Sequence, residues 1–157
     1  MRQVDIIAGF VALLMSSEPL KTWVCEEENG VARYNIYGPP IPEIEKVKRN
    51  NGLIVVDEAG GPGPEEYDPH AFNRIECRLY GSGDFSRAVR DARKLDQFVM
   101  GFLDRISDET HAGVRIFSVQ AETLAMDLIE GGEEGSNSGF PFVLRNYLVS
   151  ASQYPDI

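Results

Sequence analysis

The clearest alternation of apolar and polar positions runs from Phe72 to Ser107. Ile75, Cys77 and Leu79 fall on one side of it and Glu76, Arg78 and Tyr80 on the other, the period of two expected of a half-buried strand. Gly81-Ser82-Gly83 then supplies a turn, and Asp84 can cap the first free amides of a helix. Beyond Asp84 the period becomes 3.6. Phe85, Ala88, Val89, Ala92, Leu95, Val99, Phe102, Leu103 and Ile106 form one stripe, which predicts a long helix with one face on a sheet. Arg87, Arg90, Asp91, Arg93, Lys94, Asp96, Asp104 and Arg105 occupy the opposite face, which is expected in water.

Upstream, a first helix is predicted from about Arg2 to Ser17, ended by Pro19. Val4, Ile7, Phe10, Val11 and Leu14 form its stripe, and Ile6 and Leu13 widen it, a breadth that suits either core or subunit contact. Thr22 to Cys25 is apolar but too short to assign, and Glu26-Glu27-Glu28-Asn29-Gly30 reads as an acidic turn. Arg33 to Tyr37 alternates like a strand and is stopped by Gly38-Pro39-Pro40. Pro42 to Arg49 is assigned to a short helix, with acids in its first turn and bases in its last; Asn51-Gly52 suits either a helix end or a hairpin turn.

Leu53 to Val56 reads as a central strand, and the glycine- and proline-rich stretch from Ala59 to Glu66 as a loop. Val114 to Ala121 and Phe140 to Ser152 read as two further strands, joined through the polar, glycine-rich Gly131 to Gly139. This order predicts a single α+β domain over residues 1–157. Its sheet is expected to be single and mostly antiparallel, with the N-terminal helix and one long helix packed on one face.

Composition narrows the partners. At 157 residues and 43% hydrophobic content, the chain can build a core without metals or disulfides. Its 25 acidic and 15 basic residues leave a formal net charge of -10, which argues against a grip on nucleic acid. Cys25 and Cys77 have no metal-ligand spacing and fit a reducing compartment. The apolar run from Ile6 to Met15 is too short to span a bilayer, and Ser16-Ser17-Glu18-Pro19 offers no signal-cleavage pattern, so no membrane partner is expected.

The chemistry-bearing residues do not assemble into a motif. His70 and His111 fall in predicted loops without a second ligand at metal spacing, and no G-x-S-x-G elbow supports a nucleophile. Gly81-Ser82-Gly83 opens a helix after a strand, as dinucleotide loops do. However, Ser86 replaces the third glycine, and Asp84 puts a carboxylate where phosphate would sit. The pairs Glu65-Glu66 and Glu133-Glu134 lack the spacing of a calcium loop. No catalytic, cofactor-binding or metal residues are expected, and the chain is not read as an enzyme.

Several segments together resemble the tail terminator, or tail-completion, proteins of long-tailed bacteriophages, also labelled minor tail or minor capsid proteins. They are the N-terminal helix, Pro39-Pro40-Ile41-Pro42, Leu53-Ile54-Val55-Val56 followed by Ala59-Gly60-Gly61, the unit from Phe72 to Ser107, and the closing strand from Phe140 to Val149. The likeness covers nearly the whole chain, with Gly131 to Gly139 longer and more acidic than the pattern. It implies a homohexameric ring in the virion neck, assembled in the host cytoplasm, that caps the finished tail tube and joins it to the head connector or stopper protein. DNA would pass through such a ring without sequence-specific binding.

Alternatives are another neck or head-completion adaptor, or a small enzyme or ligand-binding domain. If a ring forms, Arg87, Arg90, Arg93 and Lys94 are the candidate subunit contacts. Gly60, Gly61, Glu65, Glu66, Glu133 and Glu134 mark the candidate partner loops.

Overall fold

The computed structural model describes residues 5–59, 72–82, 85–131 and 139–152. Helix α1 spans Ile6–Met15 and α2 spans Glu18–Trp23. Strands β1 (Cys25–Glu28), β2 (Val31–Tyr34), β3 (Ile36–Tyr37), β4 (Leu53–Glu58) and β5 (Phe72–Tyr80) follow. Helix α3 (Phe85–Leu103) then leads into β6 (Ser107–His111), β7 (Val114–Glu130) and β8 (Phe140–Ala151).

The class is α+β as expected, but the sheet is mixed. Six strands run in the order β3-β4-β5-β8-β7-β6, with β3 and β4 parallel and the other neighbours antiparallel. A separate two-stranded sheet, β1-β2, stands beside β3. Register shifts between Ile116 and Ser118 and between Ala121 and Ala125 mark bulges in β7, and bulges bend and twist a strand.

All three helices bury against one face of the large sheet. Phe10, Leu13 and Leu14 of α1, Leu20 of α2 and Leu95, Val99 and Leu103 of α3 share a core with Ile75, Cys77 and Leu79 of β5 and Tyr147 and Val149 of β8. The strand-to-helix unit from Phe72 to Leu103 therefore forms where the two periods place it. Asp84 lies outside the described residues, so its predicted capping role does too.

Four local expectations are corrected. Pro19 does not end the first helix: α1 stops at Met15, and Ser17 caps a new helix in which Pro19 occupies the first turn, where its missing N–H costs nothing. The stretch from Pro42 to Arg49 holds only a 3-10 turn, Ile44–Lys46. Glu26 is not a solvated turn residue. It lies in β1, 3% exposed, and its carboxylate accepts the Asn51 backbone N–H at 3.0 Å. The turn itself is Asn29-Gly30, both left-handed, as the tight antiparallel connection requires.

The fourth correction concerns Tyr80, placed in solvent by alternation but fully buried. It joins Leu53, Val55, Ile44 and Val47 in a second small core on the other face of the sheet, roofed by the segment between β3 and β4. Its ring lies 5.0 Å from that of Phe142, and its hydroxyl donates to Glu130 at 2.6 Å. Period two reports which side a residue faces, and here both sides are covered at this end of the sheet.

The strand predicted at Val114 to Ala121 is also longer, running to Glu130, and β6 precedes it through an Ala112-Gly113 turn. His111 consequently ends a strand rather than sitting in a loop.

Candidate assembly surfaces

The solvent face of α3 carries the four cations expected to meet a neighbouring subunit, and the structure divides them. Arg87 pairs with Asp91 at 3.3 Å, one helical turn on. Arg93 reaches across to β7 and donates to both carboxylate oxygens of Asp127, at 3.2 and 3.0 Å, and that bonding raises its already high pKa. Arg90 and Lys94 are exposed and form no ion pair among the described residues. The basic patch is therefore narrower than its sequence suggests.

Asp96, placed in water by its position opposite the stripe, lies instead in the core. Its two oxygens accept Nε and Nη2 of Arg145 at 2.7 and 2.8 Å, a bidentate fork in which both side chains are below a tenth exposed. Arg145 holds its proton more firmly because of those bonds to Asp96. Its remaining Nη1 donates at 2.7 Å to the backbone carbonyl of Glu122, inside the β7 bulge. On β5, Arg74 binds the Glu122 carboxylate at 2.6 Å. One bulge residue is thus clamped at its carbonyl and at its side chain.

This clamp separates two halves of β7. Before it, β6 and β8 flank the strand; after it, Ala125 to Glu130 pairs only with β8 among the described residues, and Leu124, Met126 and Ile129 are 82%, 51% and 52% exposed. The β7-β8 hairpin beyond the bulge is an arm. Its tip, with Glu133 and Glu134, lies outside the described residues, as do Gly60, Gly61, Glu65, Glu66 and His70.

The turn after β5 begins in close contact with α3. A Cβ on Gly81 would lie 1.9 Å from the carbonyl oxygen of Ala88, so this glycine lets the strand end pack against the α3 backbone. Ser82 is buried and donates to Asp91 at 2.6 Å, tying the turn to the helix. His111 contacts Glu109 at 3.0 Å, and no group of three metal-ligating side chains occurs among the described residues.

A groove of about 620 Å³ lies between the α1-α2 junction and the end of α3, walled by Pro19, Phe98 and Phe102, with Glu18 and Arg105 among its polar residues. No helix among the described residues is long and apolar enough to cross a membrane.

No protein-family model matches the chain, and a search of curated proteins returned no match.

Proposed function

We propose that this protein is a structural subunit of a ring that caps the finished tail tube of a long-tailed bacteriophage and joins it to the head connector. The observation that carries the reading is the β7-β8 arm. It is a long hairpin held by a buried clamp, with apolar side chains directed into solvent, which is the form of an assembly element. The element order supports it as well, since the described segments follow the resemblance through the N-terminal helix, the strand-to-long-helix unit and the closing strand. The chain acts by assembling rather than by catalysis.

Acidity serves such a role. Six copies with a net charge of -10 each give a formal -60 around a channel, and a repulsive wall lets DNA pass without sticking. Arg90 and Lys94 are the cations left for an acidic neighbour. Partners are further copies, the tube protein and the connector or stopper protein; the location is the virion neck.

Negative-stain imaging of the purified protein, followed by addition to growing tail tubes, tests the proposal. Rings of about six subunits that bind tube ends and stop polymerisation are expected. A compact monomer that leaves tube growth unchanged would overturn it, and binding to the portal side alone would favour a head-completion adaptor.

A further inference from the structure

The exposed large apolar side chains among the described residues are Val31, Leu124, Met126 and Ile129, and they sit on two hairpins. Val31 opens β2 at the tip of the β1-β2 hairpin, which leads through Asn35 into β3 at one edge of the large sheet. The other three lie on the β7-β8 arm, towards the opposite edge. Each hairpin also has a strand with a free side. β2 pairs with β1 alone, and β7 from Val119 onward pairs with β8 alone, among the described residues.

Long flat edges invite pairing, and folded proteins protect them with lysine, proline, inward charges or bulges. Among the described residues the β7 strand of the arm has no lysine, proline or bulge past its base. Its bulge ends at Ala125, and the stretch from Ala125 to Glu130 contains neither proline nor lysine. Its carboxylates are already engaged within the chain. Glu122 is held by Arg74, Asp127 by Arg93, and Glu130 by the Tyr80 hydroxyl. On a chain of net charge -10, whose copies repel one another, this is an edge where charge is locally offset and apolar surface is exposed.

From this we propose that the free edge of β7 adds to the free edge of β2 in a second copy of the same chain, setting Leu124 and Met126 against Val31. The β2 edge belongs to the small sheet and the β7 edge to the large one, so two different surfaces meet and the contact is head-to-tail, the kind that closes rings when the rotation permits. This inference rests on the ring reading and names the surface that would close it. It also requires assembly to strengthen with salt, because screening weakens the repulsion between copies.

The test uses the full-length protein with two variants, Leu124→Lys/Met126→Lys and Val31→Lys, all at exposed positions that leave the circular dichroism unchanged. Light scattering should show each variant associating at least about ten-fold more weakly than wild type. Mixed together, the two variants should form a dimer and stop, because each retains one intact edge. Wild-type rings that survive both substitutions would overturn this interface and leave the ring reading standing. A mixture in which Val31→Lys pairs only with itself would replace it with a two-fold, arm-to-arm contact. A wild type that stays monomeric at every salt concentration would remove the ring reading as well.

Discussion

From Val114 to Val119, strand β7 buries Val114, Ile116 and Val119 against the helices, whereas from Thr123 to Asp127 the same strand leaves every side chain exposed. Both halves hydrogen-bond to β8, and neither contains proline or glycine. What differs is the number of flanking strands and how the helices meet them: the first half is part of the helix-sheet core, whereas the second meets α3 through the Arg93–Asp127 pair. Ladder pairing therefore sets where the chain runs, while burial decides whether a stretch is core or arm. The boundary between the two halves is the bulge whose carbonyl Arg145 holds, and Asp96 holds Arg145.

The largest effect is expected from breaking that boundary. Asp96→Ala leaves the Arg145 guanidinium buried without its counter-ion, and removing one partner of a buried pair costs about 3–5 kcal/mol. Denaturant unfolding should show the loss directly. Replacing both, Asp96→Leu with Arg145→Met, should recover most of it, because the pair's mutual attraction mainly offsets its own desolvation. If the double variant is as unstable as the single one, the bond from Arg145 to the Glu122 carbonyl is what the fold requires.

Next in size is a direct comparison of the two halves. Ile116→Ala opens a cavity in the core and should cost about 2–5 kcal/mol, while Leu124→Ala, 82% exposed, should stay within about 0.5 kcal/mol. Equal losses in the isolated monomer would mean that Leu124 packs on something within its own chain.

Smaller again is the response to alkali. Burial pushes the Cys77 thiol and the Tyr147 phenol well above their ordinary values of 9.0 and 10.0. Above those values the unfolded chain sheds protons that the folded chain retains, so the unfolded state gains and stability falls as pH rises. The slope approaches about 1.4 kcal/mol per pH unit for each group, and about 1–2 kcal/mol should be gone by pH 10. Cys77→Ala should flatten the first part of that decline. Stability unchanged between pH 8 and 10 would contradict the burial of the thiol.

Legibility in the sequence followed the same division. Strand β5, helix α3 and strand β8 are half-buried elements whose apolar period is their signal, and they form near the expected positions. The distal half of β7 reads Glu-Thr-Leu-Ala-Met-Asp-Leu-Ile-Glu, in which Leu124, Met126 and Leu128 alternate, but the bulge between Ala121 and Ala125 breaks its register with the first half and its larger side chains are mostly exposed rather than buried. Asp96 was hidden for a different reason. It flanks Leu95 on a helix rich in charge, and its burial depends on Arg145, 49 residues away. A signal did exist: Val143, Arg145, Tyr147 and Val149 share the buried parity of β8, so a charge at that position demands a buried partner.

The smallest effect concerns the residue that follows Arg145 on the core-facing side of β8. Tyr147 is fully buried, its ring 6.0 Å from that of Phe10, yet its hydroxyl has no hydrogen-bond partner among the described residues. A buried hydroxyl without a partner carries a desolvation cost that an apolar replacement avoids. Tyr147→Phe removes the hydroxyl at little loss of packing, so the variant should be as stable as wild type or more stable by up to about 1 kcal/mol. It should also lose less stability between pH 10 and 11, because its phenol no longer ionises in the unfolded chain. A clear destabilisation, or a pH response identical to wild type, would mean that the hydroxyl is engaged in solution. The core beside the clamp would then be organised around a polar contact.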